Sequence, residues 1–211
     1  MNDIGSQDFK DELSKSFNKI LQLFNEGNLE ATYNLGLCYL HGLGTEIDNS
    51  KAANFFQIAS EKGHVNAMYN LGLCYRNGFG VEKNHEKCAQ LLKSATDQGH
   101  LKATCLLALL YLSGEGIDKN DEESNRLLQI VAKSQDCDAI IYLAHCYSIG
   151  KIVNKNEQEA VRLLQIASNL GSAKAAYNLG LLYLNGSDDI KNMPEAIKQF
   201  ELASNQGYIK A

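Results

Sequence analysis

The chain has 211 residues, of which 45% are hydrophobic and 21% charged, and a formal net charge of −5. This balance excludes wholesale disorder. It also argues against a general binder of nucleic acid or anionic membranes, which needs a basic field. The first twelve residues are polar and of mixed charge, and nowhere do about 18 apolar residues run together, so neither a signal peptide nor membrane insertion is expected.

The first predicted element is a helix ending at Gly27. Its Ser16, Phe17, Ile20, Leu23 and Gly27 align with Ala52, Ala53, Phe56, Ala59 and Gly63, 36 residues later. The same step organises the rest of the chain. Ala31, Ala67, Ala103, Ala139, Ala175 and Ala211 form one column. Leu35, Leu71, Leu107, Leu143 and Leu179 form a second, and Tyr39, Tyr75, Tyr111, Tyr147 and Tyr183 a third. Gly42, Gly78, Gly114, Gly150 and Gly186 complete the set. A fixed period in this range means stacked supersecondary units.

Each unit reads as two helices. Ala67, Leu71 and Tyr75 lie on one face of a first helix, at i, i+4 and i+8. Gly78 ends it, since glycine takes the left-handed conformation without steric cost. A second loop glycine follows at Gly44, Gly80 and Gly116. Asp48, Asn84, Asn120, Asn156 and Asn192 come next, as N-caps of a second helix. Glu123, Glu159 and Glu195 sit three residues further on, where they would complete capping boxes. The second helix carries Ala52, Phe55, Phe56 and Ala59 at i, i+3, i+4 and i+7, and Gly27, Gly63, Gly99, Gly171 and Gly207 close such helices. Gly36, Gly72, Ala108, Ala144 and Gly180 form a column of small residues, as expected where two helix backbones approach closely.

The run Ala67-Met68-Tyr69-Asn70-Leu71-Gly72-Leu73-Cys74-Tyr75, followed by Gly78-Phe79-Gly80-Val81, resembles the Sel-1-like repeat, a relative of the tetratricopeptide repeat. The resemblance implies an all-α fold, a right-handed α-solenoid of antiparallel helix pairs whose first helices line a concave face. It divides the chain into a capping helix over 1–27, five repeats at 28–63, 64–99, 100–135, 136–171 and 172–207, and the start of an incomplete sixth at 208–211. It also implies an adaptor in protein complexes rather than an enzyme.

Three departures stand out. Ile152 and Asp188 replace the second loop glycine, and Gln135 replaces the glycine that closes a second helix. Glutamine is poor at positive φ, so the junction between the third and fourth units is expected to differ. The last pair, with Phe200 and Leu202, has no following polar cap, which a solenoid end normally requires. End-to-end self-association, or truncation of a longer chain, is the expectation there.

The remaining chemistry reads as structural. Some secreted relatives bridge each unit with cysteines eight apart. Here those places hold Ser60 and Met68, Thr96 and Thr104, Ala132 and Ile140, so the six cysteines are expected to be reduced and mostly packed, in a cytoplasmic protein. No C-x-x-C or H-E-x-x-H suggests a metal, and no cofactor is expected. The Gly-x-Gly loops follow helices and lack the Lys-Ser/Thr pair of a phosphate loop. His64 and His100 share a column with Asn28, Asp136 and Ser172, which suits capping.

Function is therefore sought on first-helix positions not committed to packing. By analogy with tetratricopeptide arrays these are Tyr33, Asn34, Tyr69, Asn70, Leu73, Leu106, Leu109, Tyr142, Tyr177 and Asn178. Asparagine amides offer a donor and an acceptor to an extended peptide backbone, although the same residues could bond a neighbouring helix instead. Tyrosines add apolar area with a polar tip. The expected role is a non-catalytic adaptor holding a protein or peptide segment in the groove. The alternatives are a β-lactam-binding or hydrolysing enzyme, as claimed for some secreted relatives, and a regulatory fragment of a larger signalling protein.

Overall fold

The computed structural model describes residues 4–150 and 154–208, with side-chain detail from residue 11 onward. Among these residues all regular structure is helical. Helix α1 spans Ile4–Asn25, followed by α2 (Leu29–His41), α3 (Asn49–Glu61), α4 (Val65–Asn77), α5 (His85–Asp97), α6 (Leu101–Ser113), α7 (Asp121–Lys133), α8 (Cys137–Ile149), α9 (Glu157–Asn169), α10 (Ala173–Asn185) and α11 (Met193–Asn205). Helices α2 and α3, α4 and α5, α6 and α7, α8 and α9, and α10 and α11 pack as adjacent pairs, and α1 packs against α2. The chain divides into two compact units, Met1–His100 and Leu101–Ala211.

The capping residues do as their chemistry dictates. The side chains of Asn28, Asp48, His64, Asn84, Asn120, Asp136, Asn156, Ser172 and Asn192 each accept from the backbone N–H three residues on. The backbone N–H of each second-helix cap donates to a tyrosine carbonyl. Asp48 donates to Tyr39 at 2.9 Å and Asn84 to Tyr75 at 2.8 Å, and Asn120, Asn156 and Asn192 donate to Tyr111, Tyr147 and Tyr183 at 2.9 Å. This corrects the expected capping boxes. The cap N–H that a glutamate would have satisfied already has a partner. Glu123 and Glu159 instead form paired hydrogen bonds with Arg126 and Arg162, and Glu195 accepts from Gln199.

Two loop features differ from the sequence reading. Gly186 is extended (φ −65°, ψ −176°), whereas Gly42, Gly78 and Gly150 are left-handed. With Asp188 in place of the second glycine, the chain turns instead through Ser187–Ile190, where the Ile190 N–H donates to the Ser187 carbonyl. The loop is held by Glu157, whose carboxylate accepts from both the backbone N–H and the hydroxyl of Ser187. Gln135, in turn, adopts the left-handed conformation of the glycines it replaces, at φ 59°. The departure at Ile152 lies outside the described residues, as does the start of the sixth repeat from residue 209 onward.

Each unit has its own core. In the first, Ala52, Ala53, Phe56, Ala59, Ala67, Leu71 and Cys74 are buried together. In the second, Val131, Ala139, Ile140, Leu143, Ala160, Leu163, Ala175 and Leu179 belong to one buried cluster. The tyrosine column is half-buried. Tyr39 shows why: its ring is stacked on Phe55 at 5.6 Å and meets the edge of Phe17 at 5.7 Å.

Candidate partner-binding site

Within the first unit, a cavity of about 350 Å³ opens between α2 and α4. Leu40, Leu73 and Cys74 give it apolar walls, Asn49, Asn70 and Asn77 supply amides, and His41 and Phe79 complete the lining. Phe79 is 47% exposed. It is carried by the turn between two left-handed glycines, Gly78 (φ 76°) and Gly80 (φ 71°). Gly80 lies so close to the start of α3 that a β-carbon there would sit 1.9 Å from the Asn49 carbonyl oxygen. The loop glycine thus presses Phe79 to the cavity edge. Burial pushes the Cys74 thiol up to about 11, so the cavity wall is a neutral thiol.

Beside the cavity, Tyr33, His64 and Asn70 form one network. The His64 ring stacks on Tyr33 at 4.4 Å. Its Nδ1 accepts from the Ala67 N–H, which places the proton of the neutral ring on Nε2, 3.0 Å from Glu30 Oε2. Asn70 Nδ2 donates to the Tyr33 hydroxyl at 3.2 Å. Burial raises the Tyr33 pKa, against the pull of the Asn70 hydrogen bond, so the phenol keeps its proton. Tyr69 repeats the stack on His100 at 4.8 Å, and Tyr177 packs on Tyr208 at 5.1 Å. One face of Tyr33 and of Tyr69 is therefore committed to the residue that precedes the following first helix, one face of Tyr177 is committed to Tyr208, and all three remain half-exposed.

The other expected positions divide. Asn34 and Asn178 are half-buried, with no hydrogen-bond partner among the described residues. The tyrosine hydroxyl that serves Asn70 has no counterpart for Asn178, because the preceding unit places Ile141 there. Tyr142 is half-buried. Leu106 and Leu109 require a correction. Both are fully buried, at 0% exposure, and Leu109 belongs to the core of the second unit, so neither offers surface to a partner. The structure thus brings Tyr33, Asn70 and Leu73 together, and adds Leu40, Asn49 and Phe79, which sequence reasoning missed. The available signal was a phenylalanine between two loop glycines, where an apolar ring has no helix to pack into. Among the described residues, no three His, Cys, Asp or Glu side chains come together as a metal site would require, and no helix is long and apolar enough to cross a membrane.

Five consecutive stretches, residues 29–64, 65–100, 101–136, 137–172 and 173–208, match the Sel1 repeat. The chain belongs to the Sel1 repeat family. Each Sel1 match begins one residue after the boundary read from the periodicity. A Sel1 repeat protein from Oxalobacter formigenes is similar at 24% identity and a TM-score of 0.68, over 90% of this chain and 76% of that one. A protective antigen of uropathogenic Escherichia coli strains is similar at 24% identity and a TM-score of 0.61, over 92% of this chain, which spans only 42% of the antigen's length. An immunity protein from Pseudomonas aeruginosa is similar at 24% identity and a TM-score of 0.56, over 85% of this chain and 66% of that one. These likenesses are of fold. No curated protein matches the chain in sequence. The Sel1 fold is in general a scaffold for protein interaction.

Proposed function

We propose that this protein is a non-catalytic adaptor that holds an extended segment of a partner protein along the first helices, with its main anchor between α2 and α4. The observation that carries this reading is the cavity of about 350 Å³ in which leucine walls and an exposed phenylalanine meet three asparagine amides. An apolar side chain of the partner enters between Leu40 and Leu73. The Asn49 and Asn70 amides pair with its backbone, which rewards an extended chain without reading its sequence. The size lies within the range of specific binding pockets. The test is affinity capture from the native cell with wild type against Asn70→Ala combined with Leu73→Glu. The double variant is expected to lose partners that the wild type recovers. Equal recovery by both baits would remove the cavity from the reading.

Self-association is a second proposal, supported by helix α11, where Met193 is 56% and Ile197 52% exposed. A second copy would cover this apolar face. Sedimentation of wild type against Ile197→Lys is the test, with concentration-dependent association expected for the wild type alone.

A further inference from the structure

The third and fourth repeats pack differently from the others. Of the helices before it, α8 packs more on α6 than on α7, whereas α4 and α10 pack on α3 and α9, the second helices before them. Cys105 lies at this contact. It occupies the column of Tyr33, Tyr69 and Tyr177 but has no ring to hold the next first helix away. Its thiol reaches the Ala139 carbonyl at 3.5 Å. Between α7 and α9, around the ring of Tyr147, a cavity of about 420 Å³ remains.

The same place is filled elsewhere in this chain. Three repeats earlier, Tyr39 stands where Tyr147 does: Phe17 and Phe55 meet its ring at 5.7 and 5.6 Å, and Phe24 meets Phe55 behind it at 5.4 Å. The residues in those three positions around Tyr147 are Asn125, Ala132 and Leu163. In the second repeat two of the corresponding residues are also small, but there Ala53 and Ser60 are buried. Around Tyr147 neither solution applies, since Asn125 is exposed and Ala132 only half-buried. Leu128 and Ala132 are its accessible apolar walls, over the buried Leu143 and Leu163, and the rim carries the Asn125, Gln129 and Asn156 amides. The charges at the rim cancel, because Glu159 and Arg162 are joined by hydrogen bonds of 2.8 and 2.6 Å. The Tyr147 phenol stays protonated, its pKa raised first by burial and then by Glu159.

We propose that this cleft is a binding site for an uncharged aromatic side chain of a partner protein, a tyrosine, which packs on Tyr147 as the phenylalanines pack on Tyr39 and directs its hydroxyl to the rim amides. The site is separate from the cavity between α2 and α4 and does not depend on it. The experiment is a titration of the full chain with N-acetyl-tyrosinamide, followed by NMR on the side-chain amides of Asn125, Gln129 and Asn156. N-acetyl-leucinamide serves as the comparison ligand. Saturable shifts with a dissociation constant of about 1–10 mM are expected, as for any ligand of this size, with the leucine compound roughly tenfold weaker. Two variants fill the cleft from within, Ala132→Phe in the manner of Phe24 and Asn125→Phe in the manner of Phe17. Each is checked for helicity by circular dichroism, so that one decides if the other fails to fold. Loss of the shifts in a folded filled variant supports the site. Absence of shifts in the wild type, equal shifts with the leucine compound, or undiminished shifts in a folded filled variant would overturn it.

Discussion

Gly36 lies directly under the ring of Phe56: a β-carbon at Gly36 would stand 2.5 Å from Cε1. Gly72, in the same column, faces Leu92, and a β-carbon there would meet it at 3.5 Å, an ordinary contact. One column therefore contains glycines of two kinds. Gly36→Ala is expected to lower stability by about 1–3 kcal/mol, the range for overpacking a fitted core. Gly72→Ala is expected to be neutral or to raise stability by up to about 1 kcal/mol, since alanine suits a helix interior better than glycine. Urea denaturation of the two variants checks the difference, and equal losses would contradict the packing described.

Gln135 gives a prediction of the opposite sign. It sits at φ 59° in a position that glycine fills at Gly27, Gly63, Gly99, Gly171 and Gly207. A side chain in the left-handed region costs roughly 1–2 kcal/mol, and glycine returns part of that through the freedom of the unfolded chain. Gln135→Gly should therefore stabilise the protein by about 0.5–1 kcal/mol, seen as a higher denaturant midpoint with an unchanged slope.

The cap of α4 joins two separable functions in His64. Its Nδ1 accepts from the Ala67 N–H and its ring stacks on Tyr33. His64→Asn keeps an acceptor of the kind that Asn28 supplies to α2 but gives up the stack, at an expected cost of about 0.5–1.5 kcal/mol. His64→Ala loses both and should cost about 1 kcal/mol more. Thermal melts of the two variants separate the contributions.

Glu157 ties stability to pH. Hydrogen bonds from Lys155 and then from Ser187 lower its pKa to about 2, from 4.5. A folded-state pKa below the unfolded one means that the stabilisation is fully present above about 4.5 and is lost as the pH falls through about 2. The wild type should therefore melt above Glu157→Gln at pH 6, with the gap narrowing between pH 4.5 and 2. A gap of constant size down to pH 2 would mean that the carboxylate charge plays no part in holding the Ser187 loop.

Helices and caps were legible because their signals are local. An asparagine, aspartate or serine ahead of an apolar stripe and a glycine behind it act through residues a few positions away. The failures share a different origin. The capping boxes did not form because the tyrosine carbonyl, nine residues before the cap, took the N–H. Gly186 did not turn left-handed because its loop is anchored by Glu157, thirty residues away. The interior place of Leu109 goes with α8 packing directly on α6, a contact between helices that no spacing along one helix reveals. The cavity between α2 and α4 was half legible: Asn70 and Leu73 lie on a readable helix face, whereas Phe79 reaches it through the approach of Gly80 to Asn49.

Leu73 and Leu109 were both expected at the surface for a partner, and substitution by glutamate separates them. Leu109 is fully buried in the core of the second unit. A glutamate there is either charged without a partner or neutralised at a large pKa cost, so Leu109→Glu should destabilise by more than about 4 kcal/mol and bring down the melting transition. Leu73 is half-buried at the wall of the open cavity, where a glutamate can turn its carboxylate to water. Leu73→Glu should cost about 1 kcal/mol, keep the helical circular dichroism spectrum, and remove the apolar contact that an inserted side chain needs. A folded Leu73→Glu that still recovers the wild-type partners would place the anchoring contact elsewhere. A stable Leu109→Glu would contradict the core packing of the second unit.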